Sequence, residues 1–222
     1  MAVEDAGVAR SEVEVVATDG RVIGRRATLT RRRILDTTAD LLRRHGALEV
    51  RVIDVAREVG TSPATFYQYF ADVEDAIFCL ATELLEQVPA LSGQIDATWL
   101  QPDGLDRARH LVADYVAFWD ANGAVLRIMH LRADERDRRF RTVRNDYNNR
   151  FMATMVSLVG EAQAAGRVAP DMDPDATAGA MLAVLDRLSS YREAFERRGT
   201  SRQAMNEAVA RILHTTLTGS TT

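Results

Sequence analysis

The apolar residues recur at intervals of three and four along almost the whole chain, and this pattern most restricts the possible folds. It begins near Thr28 and continues to about residue 217, without an alternating strand pattern after residue 28. The sequence therefore predicts an all-α fold with a loop over residues 88–103. The predicted helices are 28–45, 52–59, 63–70, 72–87, 104–121, 123–133, 136–165, 175–198 and 201–217.

The composition is that of an ordinary globular protein and excludes several classes. The 222 residues include one cysteine, Cys79, so a disulfide framework and multi-thiolate metal sites are excluded. No apolar run approaches the roughly 20 residues of a membrane-spanning helix. The N-terminus has acidic residues and no apolar core of a secretory signal. We therefore expect a cytoplasmic protein without a membrane partner.

Charge is distributed unevenly along the chain. The net charge is −4, yet residues 21–73 contain ten arginines and six acidic residues, a net charge of +4. Residues 1–27 are predicted to be a mobile arm with a hairpin signal at Asp19-Gly20, and residues 218–222 a frayed tail. The basic excess lies in the first helical segments, although a solvated helix face would give the same pattern.

Residues 52–70, with the sequence VIDVAREVGTSPATFYQYF, have the spacing of a helix-turn-helix. Gly60 stands where the turn needs a positive φ, while Ser62 caps the second helix and Pro63 is its first residue. We expect only Phe66 and Phe70 of the second helix to point inward. The remaining side chains are candidates for contact with DNA in the major groove: Ser62, Pro63, Ala64, Thr65, Tyr67, Gln68 and Tyr69.

VIDVAREV and GTSPATFYQYF, with a basic helix before and DVEDAIF after, resemble the DNA-binding domain of the TetR family of bacterial repressors. The segment EAQAAGRVAPDMDPDATAGAMLAVL is similar to the family's join between its last long helices. The resemblance implies a helix-turn-helix domain at 28–73 and an effector-binding and dimerisation domain at 74–217. It implies a homodimer that binds a palindromic double-stranded DNA operator and is released by a small molecule.

The sequence departs from the family pattern at three positions. Arg51 stands where a Ser or Thr cap is usual, Val73 where the fourth helix usually begins with lysine, and Pro63 where Lys or Arg is common. Arg51 is a candidate phosphate contact instead. Arg21, Arg25 and Arg26 lie in the predicted arm. These side chains are candidates to replace the altered contacts by reaching phosphate or an adjacent minor groove.

In the C-terminal domain, aromatic and methionine side chains at helical spacing are candidates to line an effector pocket, although each could instead be ordinary core. Trp99 is placed in a loop that could cover the opening. We expect an apolar or amphipathic effector. Arg127, His130 and Arg132 could meet an anionic head group or could equally lie at the surface. The predicted ligand-binding residues are Trp99, Tyr115, Phe118, Trp119, Tyr147, Phe151, Met155, Met181 and Leu185.

Other functions have weaker support in the sequence. No HExxH, glycine-rich phosphate loop or GxSxG motif occurs, so we expect neither an enzyme, nor a metal site, nor a cofactor. A small helical hydrolase remains as an alternative. Two closer alternatives are a DNA-binding regulator without a ligand switch, and a dimeric sensor that has lost its operator contacts.

Overall fold

A computed structural model describes residues 24–46 and 49–220, and every regular element in them is helical. The chain divides into two compact units, Met1–Ala76 and Ile77–Thr222. The predicted all-α class is confirmed. The helices are α1 (Arg25–His45), α2 (Val52–Val59), α3 (Pro63–Tyr67), α4 (Val73–Leu84), α5 (Val88–Ser92), a 3₁₀ helix (Ala97–Leu100), α6 (Gly104–Asp134), α7 (Arg138–Ala164), α8 (Pro174–Glu196) and α9 (Arg202–Thr218).

In unit 1, α1 packs on α2 and α2 packs on α3. The predicted apolar face of α1 is buried, and the helix ends at Gly46, which has a φ of 79°. The start of α1 differs from the prediction, since Arg25 and Arg26 belong to its first turn rather than to an arm. Thr28 and Thr30 do not cap it, because their hydroxyls donate to backbone carbonyls four residues earlier. Arg21 and the Asp19-Gly20 hairpin prediction lie outside the described residues.

In unit 2, α6 packs on α7 and α9, and α8 packs on the same two helices. Three predicted boundaries are wrong. α6 continues through Gly123 as one helix of 31 residues, and the side chains of Trp119 and Arg127 pack beside the glycine. Pro89 lies in the first turn of α5, where its missing N–H costs nothing, so the expected loop contains helix. α9 begins at Arg202, one residue later than predicted, because Ser201 is its cap and accepts from the Ala204 N–H at 3.1 Å.

Within the part of the chain that the structure describes, no helix is both long enough and apolar enough to cross a membrane.

Candidate functional site

The turn between α2 and α3 has the predicted geometry. Gly60 lies in the left-handed region at φ 74°, and the Thr61 N–H reaches back to the Ala56 carbonyl at 2.8 Å, which closes the end of α2. The Ser62 hydroxyl accepts from the Thr65 N–H at 3.2 Å, and Pro63 is the first residue of α3. These local bonds fix the direction in which α3 leaves the turn.

A small apolar core holds α3 against α2. Val55, Ala56 and Val59 on α2 are buried, and Ala56 has no bulk to keep the helices apart. Phe66 and Phe70 are fully buried, with ring centroids 5.7 Å apart, as predicted. Because these side chains anchor one face, the opposite face of α3 must point to solvent.

That opposite face carries most of the predicted DNA-contacting residues. Ser62, Pro63, Ala64, Tyr67 and Gln68 are exposed, and 53% of Tyr67 is accessible. Two predictions of exposure are wrong, because Thr65 and Tyr69 are half-buried. The Thr65 hydroxyl lies 3.1 Å from that of Ser62, so it takes part in the cap. α3 is also shorter than predicted, ending at Tyr67 rather than near residue 70.

Several arginines of unit 1 have partners inside the unit. Arg31 lies over the Phe70 ring at 5.1 Å, a contact that was not predicted from the sequence. Other arginines hold partners inside the unit: Arg32 pairs with Asp36, Arg33 donates to the Val59 carbonyl, Arg43 pairs with Asp40 and Arg44 pairs with Glu58. Arg33 and Arg44 therefore connect α1 to α2, whereas the pairs of Arg32 and Arg43 lie within α1.

Arg25 and Arg26 are different, because both are exposed at the N-terminus of α1, where the helix dipole disfavours positive charge. No acidic residue offsets them in that first turn. Arg26 also lines a groove of about 500 Å³ between α1 and the turn, together with Arg32, Arg33 and Thr61. The charges of these two arginines do not stabilise α1, so they are suited to binding an anion outside the protein.

Arg51 is at the N-cap position of α2 and its side chain is 75% accessible. Its Nε donates to Asp54 at 3.0 Å, and this hydrogen bond lowers the pKa of the Asp54 carboxyl. An exposed pair of this kind contributes little stability. The Arg51 side chain can therefore exchange its carboxylate for a phosphate at small cost.

In unit 2 the structure brings five of the predicted ligand residues into one buried aromatic cluster. Tyr115, Phe118 and Trp119 come from α6, and Tyr147 and Phe151 come from α7. The rings of Tyr115 and Phe151 lie 5.4 Å apart at 82°, and those of Phe118 and Tyr147 stack at 6.4 Å. Met155, Met181 and Leu185 are also buried, on α7 and α8.

Trp99 does not occupy the position expected of a cover. It lies in the 3₁₀ helix rather than a loop, it is fully buried, and its indole N–H donates to the Gln94 carbonyl at 2.7 Å. Its ring lies 6.4 Å from that of His214, away from the aromatic cluster. A groove of about 950 Å³ between α6 and α9 contains none of the predicted ligand residues.

The aromatic cluster encloses polar groups that we call the polar centre: Tyr115, Trp119, His130, Tyr147 and Asp186. The two tyrosine hydroxyls are 2.5 Å apart, and the Tyr115 hydroxyl donates to the Asp186 carboxylate at 3.0 Å. Asp186 could not be predicted from the sequence, since an α8 aspartate carries no local signal that it will meet a tyrosine 71 residues earlier.

Burial controls the protonation of the polar centre. Burial raises the pKa of both the Tyr115 and Tyr147 phenols, and the negative charge of Asp186 raises each further. Burial also lowers the pKa of the His130 imidazole, which Asp186, 3.7 Å away, opposes only in part. At neutral pH the phenols and the imidazole are therefore uncharged.

The lowered pKa of His130 predicts a loss of stability on acidification. Below the ordinary value of 6.5 the unfolded chain binds a proton that the folded chain resists, so stability falls until the pH passes the folded pKa. His214, buried against the Trp99 carbonyl, has a pKa shifted in the same direction and adds to the effect. Thermal midpoints measured downward from pH 7.5 should fall more steeply for the natural chain than for the double variant His130→Gln, His214→Gln. Equal slopes would contradict the prediction.

A helix-turn-helix that presents an open α3 face, joined to a helical unit, defines a DNA-binding transcriptional regulator. Family models agree: the tetR family of bacterial regulatory proteins matches residues 34–75, and the tetracyclin repressor-like C-terminal domain matches residues 91–222. The chain belongs to the TetR family, and its family and fold are those of transcriptional regulators rather than enzymes. No curated protein matches the chain.

Solved structures share the fold at low sequence identity. The fatty acid degradation regulator FadR from Bacillus halodurans is 17% identical, with a TM-score of 0.63 over 87% of this chain and 97% of its own. FadR from Bacillus subtilis in complex with stearoyl-CoA is 15% identical, with a TM-score of 0.62 over 85% and 98%. A proposed regulator from Saccharomonospora viridis in complex with choline is 23% identical, with a TM-score of 0.60 over 84% and 94%.

Proposed function

We propose that this TetR-family regulator is a ligand-responsive repressor that acts in the cytoplasm and binds a palindromic operator as a homodimer. The observation that carries the proposal is the exposed face of α3. Phe66 and Phe70 fix the helix from behind, and Tyr67 and Gln68 point outward. Gln68 has the donor and acceptor pair that recognises adenine, and Tyr67 can donate to phosphate.

Contacts with the DNA backbone are assigned to the arginines at the start of unit 1 and of α2. Arg25 and Arg26 supply positive charge at the N-terminus of α1, and Arg51 supplies it at the N-cap of α2. Each phosphate contact releases counterions, so affinity should fall steeply with salt. These arginines replace the DNA-backbone contacts of the basic residues that the family usually has at the positions of Pro63 and Val73.

The homodimer is assigned to α8 and α9. Ala176, Ala180 and Ala183 form an exposed stripe of small side chains on α8, and Tyr191 and Ile212 add exposed apolar area. Small residues allow a second copy of the helix to approach closely. On α9, Met205 and Val209 are buried within the protomer and therefore belong to its own core.

The effector site is assigned to the aromatic cluster of unit 2, within the domain proposed for residues 74–217. Structural relatives are bound to chemically different molecules, stearoyl-CoA and choline. The ligand class for this chain must therefore come from its own residues. A ligand releases DNA only if it binds the released form more tightly than the DNA-bound form.

The proposed operator contact predicts that Tyr67→Ala weakens operator binding by about 1–3 kcal/mol. The measurement is a mobility shift on the DNA upstream of the protein's own gene, with thermal unfolding to show that the fold is kept. Tyr191→Ala is the matched control, because it removes a similarly exposed tyrosine from α8. Unchanged affinity in Tyr67→Ala would mean that α3 does not enter the groove.

A further inference from the structure

The polar centre carries a net negative charge inside aromatic walls. His130 and the two phenols are neutral at pH 7, which leaves the carboxylate of Asp186 as the charge of the centre. Among its neighbours, Arg144 faces His130 and pairs with Asp134 at 2.5 Å, so these two charges offset each other. Among the described residues, an anionic group placed here would meet the Asp186 carboxylate, and the neighbouring Arg144 already pairs with Asp134.

The arginines expected to hold an anionic head group do not change this balance. Arg132 pairs with Glu135 at 2.7 Å, and Arg127 lies along α6 beside Gly123. His130 is the member of that predicted group that reaches the polar centre, and it does so uncharged. The expectation of an anionic head group at this position therefore has no support in the local electrostatics.

Within the described part of the chain, the His130 side chain lacks a hydrogen bond at one ring nitrogen. Its Nε2 is buried, lies 3.7 Å from Asp186 and has no hydrogen-bond partner among the described residues. A buried polar group without a partner costs free energy, so the His130 imidazole would gain from a rearrangement.

The imidazole of His130 occupies the position that a bound cation would take. It stacks on the Trp119 ring at 6.2 Å and 5°, meets the edge of Tyr147 at 6.4 Å, and faces the Asp186 carboxylate. A cation over an aromatic face, next to a carboxylate, gains from both the ring quadrupole and the charge. His130 and Asp186 are each about a quarter accessible, so this end of the centre is open to entry from solvent.

We propose that the effector of this regulator carries a protonated amine or quaternary ammonium group, which displaces the His130 imidazole and binds between Asp186, Trp119 and Tyr147. Its apolar part packs against the buried side chains of Phe151, Met155 and Leu185. This inference rests on the proposed ligand response and narrows it from an apolar or amphipathic effector to a cationic one. The displaced imidazole must move, which couples binding to the packing of α6 against α7 and α8.

Three probes with the same tail and different head charges test the inference: decyltrimethylammonium, decanol and decanoate, each below its micelle-forming concentration. Binding to the full-length protein is followed by intrinsic fluorescence, since Trp119 lies in the site and Trp99 does not. We expect the cation to bind at least about tenfold more tightly than decanol, and decanoate to bind most weakly. Equal affinities, or tightest binding of decanoate, would overturn the inference.

Two variants assign that preference to named side chains. Asp186→Asn should remove the advantage of the cation over decanol while decanol binding stays the same, and Asp186→Glu should restore part of it. Asp175→Asn is the matched control, because it removes an exposed carboxylate from the same helix. His130→Ala should tighten cation binding several-fold by removing the group that must be displaced. Retained preference in Asp186→Asn would place the cation elsewhere and overturn the assignment.

Operator-binding measurements on the same proteins distinguish failure of this inference from failure of the proposed function. Operator binding is measured by mobility shift without any probe, and then with each probe added. Operator binding that is released by decanol or decanoate as readily as by the cation overturns the inference and leaves the ligand-responsive regulator intact. Absence of operator binding overturns the proposed function, whatever the probes do in the fluorescence measurement.

Discussion

Replacing Phe66 with alanine is expected to destabilise the DNA-binding unit by about 3–5 kcal/mol and to abolish operator binding. Phe66 is fully buried, and its ring meets those of Tyr67 and Phe70 at 5.9 and 5.7 Å. Few other side chains fill the space between α2 and α3, so the cavity cannot be closed by small movements. A loss of this size is comparable with the total stability of a small domain.

Thermal and urea unfolding of the full chain, followed by circular dichroism, measure the loss, and a mobility shift measures the binding. Phe66→Leu is the matched control, because it keeps most of the apolar volume and should cost much less. Tyr67→Ala is the complementary control, because it changes the exposed face and should leave unfolding almost unchanged. A Phe66→Ala protein that unfolds like the natural chain would show that the side chain is not the anchor of α3.

The helix-turn-helix could be predicted in detail because its signals are local. Gly60, Ser62 and Pro63 each act on the backbone within three residues, through a positive φ, a cap and a fixed first turn. The inward direction of Phe66 follows from the same short-range geometry. The half-buried positions of Thr65 and Tyr69 could not be predicted in this way, because they depend on how α3 rests against the rest of unit 1.

The predicted break in α6 was wrong because tertiary packing outweighs the local helix propensity there. Glycine in a helix costs roughly 1 kcal/mol relative to alanine, which made a break at Gly123 the reasonable expectation. Burial of the surrounding α6 side chains more than offsets that cost. The predicted loop at Pro89 was also wrong, because proline is found in the first turn of helices as well as beyond their ends.

For the candidate effector site, the sequence predicted the aromatic residues but not the charge. Tyr115 and Tyr147 stood out by residue type and helical spacing, and the structure joins their hydroxyls. The partner of this pair, Asp186, comes from a third helix, and the pairing across helices leaves no local trace. The anionic head group stays a prediction, and the sequence could not show that Asp186 lies beside His130.

Replacing Trp99 with alanine is expected to destabilise unit 2 by about 3–5 kcal/mol and to leave probe binding by the folded fraction unchanged. The 3₁₀ helix that carries Trp99 contacts α6, α7 and α9. Its indole N–H bonds to the Gln94 carbonyl at 2.7 Å, and its own carbonyl lies 3.2 Å from His214 Nε2. Removing the indole therefore leaves a cavity where three long helices meet.

Urea unfolding gives the size of the loss, and titration with decyltrimethylammonium at low temperature gives the affinity of the folded protein. Trp99→Phe is the control for volume, because it keeps an aromatic ring and loses chiefly the hydrogen bond to Gln94. Trp119→Phe provides the contrast, since it should weaken probe binding more than it lowers stability. If Trp99→Ala unfolded normally and bound the probe poorly, Trp99 would belong to the effector site, as the sequence alone predicted.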